Sequence, residues 1–237
     1  MEKIEVKVLT DGKEVILREG KAPDIFQNNG YCYDTTNTES FVAAIQKFGS
    51  KENTVMAAGG DSVKAIVDCT IKNRPQDIIR LRWEASPEAK RWKAVMGKQL
   101  VQAIFVKFLE REVRISQSPV VESLLAQLKM FKVSAQIIGD YSMDDRNNYT
   151  FMYKIGDAEG QTKVPSLIQM EFPMIDEGRK EKVDIELEFI RPGNSNDKPA
   201  FCLTCPTWED IVRESINFEV QEIIAALPGT LLIKGAL

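Results

Sequence analysis

The segment KVDIELEFI, residues 182–190, alternates apolar and acidic side chains: Val183, Ile185, Leu187 and Phe189 against Asp184, Glu186 and Glu188. Successive side chains of a strand point to opposite faces, so this run specifies a strand with one dry face and one wet face. Wound as a helix, the same residues would scatter the four apolar groups around the circumference. A sheet covered on one side is therefore the first requirement on the fold. The preceding run VPSLIQMEFPMI, joined through DEGRKE, supplies the hairpin partner. VSAQIIGDY and NYTFMYKIG flank the polar loop SMDDRN in the same way, and AFCLTC reads as a further short strand.

The rest of the chain mixes both periods. IEVKVLT and KEVILRE, joined by Asp11-Gly12, predict a hairpin over 3–19, because Asp-Gly adopts the backbone twist that a tight turn between strands needs. Residues 20–38 are turn-rich and read as a connector. TESFVAAIQKFG predicts a helix capped by Thr38, with Phe41, Ala44, Ile45 and Phe48 at helical spacing. NTVMAA, VKAIVDCTI and DIIRLRWEA read as strands. Ser86-Pro87-Glu88 opens a helix, with Ser at the cap and Pro in the first turn. Gly97 breaks it. Beyond the break, Val101, Ile104, Phe105, Phe108, Leu109 and Val113 share one helical face, with Lys107, Glu110 and Arg111 elsewhere. PVVESLLAQLKMF predicts another helix. PTWEDIVRESINFEVQEIIAAL predicts a long one, with Thr207 and Asp210 at capping-box spacing, and TLLIKG a closing strand. The fold class is α+β: antiparallel meander sheets with a few packed helices and an N-terminal β-hairpin arm. One domain is expected over 1–237, of which 1–37 is the arm and its connector.

Composition removes whole classes of chemistry. The 237 residues include no histidine, which excludes Ser-His-Asp and Cys-His catalysis, imidazole acid–base work and His-ligated zinc. Any enzyme would have to rely on carboxylates, Lys, Tyr or Cys. Net charge is −4 and the isoelectric point about 5.2, so no global attraction to nucleic acid or anionic membrane exists. Residues 1–20 lack the apolar core of a signal peptide. The longest apolar run near the C-terminus, IIAALPGTLLI, is broken by Pro228-Gly229, so a cytoplasmic location without a membrane span is expected.

Four motifs invite a sharper reading. MGKQL holds a Gly-Lys pair, but position 92 is Trp where a phosphate loop needs its first Gly, and position 99 is Gln where it needs Ser or Thr. AAGGDSV could cradle phosphate on backbone amides, yet strand-like runs on both sides make Gly59-Gly60-Asp61 a hairpin turn. Cys202 and Cys205 form a C-x-x-C ahead of a helix, and Cys32 and Cys69 are isolated. Buried apolar cysteines are the plainer reading, against a redox pair or a zinc site. Asp140, Asp144 and Asp145 do not follow calcium-loop spacing and read as solvated carboxylates. No catalytic, cofactor-binding or metal-binding residue is singled out, and no cofactor is expected.

Charge is segregated along the chain. Residues 72–114 hold eleven Lys and Arg against five Asp and Glu, so the remainder carries −10. Arg82, Arg91, Lys93 and Lys98 are the candidate contacts of this segment. They cover a helix whose aromatics face a core, dock on the acidic part of another subunit, or meet nucleic acid, in that order of preference.

Three ordered blocks carry a family resemblance. They are TNTESFVAAIQKFG followed by NTVMAA and AIVDCTI; LRWEASPEAKRWKAVMGKQLVQAIFVKFLERE; and KVPSLIQMEFPMIDEGRKEKVDIELEFI. Their succession resembles the YfdQ-like proteins, a phage and prophage family without an assigned activity. Where that family often shows a histidine after the Asp of the first block, Cys69 follows Asp68 here. The resemblance implies a virus-derived protein acting in the bacterial host cytoplasm and supplies no active-site residues. The expected function is that of an accessory protein acting by self-assembly or protein binding, with a further copy of itself or a host protein as partner. The alternative is a nucleic-acid or nucleotide binder using residues 72–114, and behind it an enzyme using carboxylates or Cys202 and Cys205.

Overall fold

A computed structural model describes residues 30–50, 52–67, 76–130, 141–143, 148–155, 158–190 and 200–235. The hairpin read over 3–19 lies outside the described residues, as do Cys69, Asp140, Asp144 and Asp145. The elements run β1 (Cys32–Thr35), α1 (Thr38–Phe48), β2 (Val55–Gly59), β3 (Ser62–Val67), β4 (Asp77–Arg82), α2 (Pro87–Lys93), β5 (Gln99–Val101), α3 (Gln102–Ser116) and α4 (Pro119–Met130). They continue with β6 (Tyr141–Met143), β7 (Asn148–Ile155), β8 (Ala158–Pro165), β9 (Leu167–Pro173), β10 (Lys180–Ile190), β11 (Ala200–Thr204), α5 (Trp208–Ala226) and β12 (Leu231–Lys234). The fold class is α+β, as the periodicities require. Among the described residues the strands form three sheets, ordered β1-β4-β3-β2-β12, β5-β11-β10-β9 and β6-β7-β8.

The second sheet realises the alternation of residues 182–190. Val183, Ile185, Leu187 and Phe189 are buried in β10, while Asp184, Glu186 and Glu188 are exposed. β9 opposes β10 from Leu167↔Glu186 to Pro173↔Lys180, and β11 pairs on the other side. The dry face meets Trp92 from α2, Phe105, Phe108 and Leu109 from α3, Leu124 and Leu128 from α4, and Trp208 from α5. Trp92 stands edge-on to Phe108, with ring centroids 5.0 Å apart and an interplanar angle of 89°. That geometry sets the positive ring edge against the negative ring face.

The first sheet packs a second core. Phe41 and Ile45 of α1 lie with Met56, Val63, Ala65, Ile79, Leu81 and Trp83, and α5 adds Val220 and Ile223. Thus α5 places Trp208 in one core and its later turns in the other. Between the cores the chain leaves β4 and is clipped to the end of β9: Ser86 N donates to Met174 O at 3.1 Å, and Asp176 N donates to Glu84 O at 2.8 Å.

Several local readings change. The cap of α1 is Asn37, whose side chain accepts from Ser40 N at 2.8 Å. Thr38 lies inside the helix, where its hydroxyl donates to Glu219 Oε2 at 2.7 Å and accepts from Trp83 Nε1 at 3.1 Å. Thr207 does cap α5 by position, but its hydroxyl makes no capping bond. Ile104, assigned to the inner face of α3, is 56% exposed, and Glu112 takes an inner place. The connector of 20–38 ends in a strand, β1. Residues 141–143, read as the end of a strand and the start of a loop, form β6, and β8 ends at Pro165 before β9 begins, so VPSLIQMEFPMI spans two strands. Not all pairing is antiparallel: β1 joins β4, and β12 joins β2, in parallel.

Candidate interaction surface

Register decides which side chains share the outer face of the first sheet. Cys32, Ile78, Ile66, Val55 and Leu231 lie directly opposite one another across its five strands. Opposed residues of paired strands share a face, so an apolar row crosses this sheet from edge to edge. None of the five belongs to the core beneath. Leu231 and Cys32, at the two ends, are exposed, and the three between are half-buried. Two positions further along, the same face carries Asp34, Arg80, Lys64, Ala57 and Ile233, and then Arg82 opposite Ser62.

The two ends of this sheet are matched. Among the described residues, β1 and β12 each pair on one side only. Each has four residues. β4 and β2 are both antiparallel to β3, and each edge strand is parallel to its neighbour, so β1 and β12 run in the same direction. A β1 edge can therefore meet the β12 edge of a further copy in parallel without either chain reversing. Exposed apolar groups mark both edges: Tyr31, Tyr33 and Phe48 at one, Leu231 and Ile233 at the other. Tyr33 stacks on Phe48 at 5.8 Å with the rings 10° apart.

β1 docks closely on its neighbour. Ile78 N donates to Tyr31 O at 2.7 Å, and Tyr31 N donates to Asp77 Oδ1 at 2.8 Å. At Gly30 a Cβ would stand 2.2 Å from the Gln76 carbonyl oxygen. Only glycine admits that approach.

The four basic candidates fall in four settings. Arg82 is exposed on the outer face of the first sheet, with Nε 3.4 Å from Asp61 Oδ2. Arg91 is turned inward: its Nε donates to both oxygens of the fully buried Glu112 at 2.9 and 3.2 Å, and its Nη2 donates to Glu88 at 3.3 Å. Burial alone would lower the Arg91 guanidinium, but the hydrogen bonds and charges of Glu112 and Glu88 outweigh it and hold it above its ordinary value. Lys93 reaches across to Glu209 at 2.7 Å and lies 5.3 Å from the Trp208 ring centroid. Lys98 is exposed in the turn before β5. Arg80, Arg82, Lys90, Arg91, Lys93 and Arg111 all have a carboxylate within 3.9 Å, so much of the basic surplus is neutralised locally. Lys64, Arg80 and Arg82 share the outer face of the first sheet. Sequence spacing carried the parity of Arg80 and Arg82, but Lys64 joins them only through strand pairing.

The wet face of the second sheet is acidic, with Glu171, Asp184, Glu186 and Glu188 exposed beside Lys182. Cys202 lies half-buried on that face opposite Glu188. Cys205 follows the strand, packs against the first core and sits with its sulfur 3.7 Å from Thr207 Oγ1. Both are unbonded thiols, as is the exposed Cys32. Gly97 has φ of +70° in the turn after α2, and its N–H donates to Leu203 O at 2.8 Å. Gly60, at φ +59°, turns the β2–β3 hairpin. Among the described residues, no group of three or more Cys, Asp or Glu side chains could hold a metal ion, and no helix is long and apolar enough to cross a membrane. No protein-family model matches the chain, and no curated protein or solved structure matches it.

Proposed function

We propose that this chain is a phage- or prophage-derived accessory protein that works in the bacterial host cytoplasm by self-assembly or protein binding rather than by catalysis. The observation that carries the assembly reading is the pair of matched edges: two four-residue strands running in one direction, at opposite ends of a sheet crossed by an apolar row. Exposed edges left unpaired are a liability that proteins cover, charge or use for pairing. Neither edge here carries the dense charge that blocks pairing: β1 reads CYDT and β12 reads LLIK. A heterologous β1–β12 contact repeats from copy to copy, closing a ring or shell when its rotation closes. The viral origin rests on the ordered sequence blocks and the non-catalytic reading on the missing histidine.

Light scattering on the purified chain at micromolar concentration, coupled to size-exclusion chromatography, tests this. The expected result is a discrete multiple of the 26.7 kDa chain mass, reduced to the monomer by Leu231→Lys with Ile233→Lys. A monomer at micromolar concentration, or an assembly indifferent to both edges, overturns it. The second reading is nucleic-acid binding, favoured by Lys64, Arg80 and Arg82 around a concavity of about 840 Å³. It requires affinity that falls steeply with salt and with removal of those three charges.

A further inference from the structure

A cleft of about 470 Å³ remains open where the two cores meet. Its apolar lining comes from Trp83, Met174, Ile175 and Trp208, with Val212 and Ile216 of α5. Its volume lies in the range of sites that enclose a small organic molecule. The lining is mostly apolar, and it includes the two exposed lysines Lys90 and Lys93. Lys90 and Lys93 are three residues apart on α2, so they share one side of that helix.

The charged residues divide unevenly between the lining and its surroundings. Both lysines line the cleft, whereas Glu84 and Glu209, which neutralise them, do not. Asp61 lines it too, but it is paired with Arg82, which does not. The lysine pairs are short, 2.8 Å for Lys90–Glu84 and 2.7 Å for Lys93–Glu209, yet all four side chains are more than half exposed. Exposed pairs of this kind hold little net free energy, so an incoming anion exchanges for the glutamates at low cost. A cation gains nothing comparable, because the cleft presents it with ammonium groups.

We propose that this cleft binds a small amphipathic anion. A flat aromatic or compact apolar body lies against Trp83, Trp208 and Ile216, and one phosphate, sulfonate or carboxylate group takes Lys90 and Lys93 from Glu84 and Glu209. Burial of the body and charge-assisted hydrogen bonds to the two ammonium groups act together, so neither half of such a molecule suffices. The site stands apart from the edges of the first sheet, so its titration can fail while assembly holds, and the reverse.

Calorimetric titration with 1-naphthyl phosphate tests it, with 1-naphthol and inorganic phosphate as the two halves. One molecule per chain is expected, with each half at least about tenfold weaker. The double change Lys90→Gln with Lys93→Gln should weaken 1-naphthyl phosphate by about tenfold or more, and raised salt should weaken it in the same direction. Ala94→Trp, at an exposed position on the lining, should block the cleft while leaving circular dichroism and the thermal midpoint unchanged. No saturable binding at millimolar probe overturns the proposal. So does binding that survives both sets of changes, or 1-naphthol binding as tightly as its phosphate.

Discussion

Arg91 and Glu112 behave as one unit. The carboxylate is fully buried, and its main partner is the Arg91 guanidinium on α2, 21 residues earlier in the chain. Removing one member of a buried pair leaves the other uncompensated, whereas replacing both by apolar groups of similar size is often close to neutral. Arg91→Met should therefore cost about 3–5 kcal/mol, read by urea unfolding, and adding Glu112→Leu should recover most of that loss. A loss of under about 1 kcal/mol in the single variant would place Arg91 among ordinary surface charges. The sequence carried half of this pair. Glu112 is four residues from Phe108 and three from Leu109, the spacing of a shared helical face, but a polar letter at an apolar position does not name its partner. Ile104 shows the converse: its spacing fits the stripe, yet the inner arc is filled by Phe105, Phe108 and Leu109.

Elements were legible where a single period runs long enough to bury a face. β10 and α5 are of that kind, and so is the Ser86 start of α2, whose hydroxyl accepts from Ala89 N at 3.0 Å. Of the two short edge strands, β12 was read in TLLIKG, but β1 was not, because it owes its pairing to β4, a distant partner in the chain. Gly30 was equally silent, since the approach of Gln76 exists only after β1 docks. Gly30→Ala should push β1 off β4, exposing its amides to hydrogen exchange while the core beneath the second sheet stays protected; unchanged protection at Tyr33 and Ile78 would refute this. The α3–α4 contact predicts a pH effect. Lys129 Nζ lies 2.8 Å from Glu110 Oε1, and its hydrogen bond and charge hold the Glu110 carboxyl below the ordinary 4.5. A carboxyl lowered in the folded state adds stability above its ordinary value and loses it as pH falls through the lower folded value. Glu110→Gln should thus lower the thermal midpoint at about pH 6, and the difference should shrink as pH falls through the lowered folded value.

At the scale of the molecule, the question is whether two sheets with two cores unfold as one body. α5 argues that they do. Its first residue, Trp208, belongs to the core of the second sheet, and Val220 and Ile223 belong to that of the first. Ser215, 2% exposed between them, donates to Glu181 Oε1 at 3.1 Å, fastening the helix to β10, and Glu219 accepts from Thr38 of α1. A helix held by both cores cannot stay folded on one alone without exposing several buried side chains, each worth roughly 1.5–3 kcal/mol. The tryptophans allow each core to be followed separately. Trp83 reports the first sheet in a Trp92→Phe, Trp208→Phe variant, and Trp92 reports the second in a Trp83→Phe, Trp208→Phe variant. In each variant the fluorescence transition in urea should coincide with loss of helical circular dichroism, the signature of a single cooperative transition. A tryptophan signal that changes well before or after the helical signal would mean two units that fold independently. The cleft would then lie at a seam that opens, and ligand binding there would stabilise the junction rather than either core.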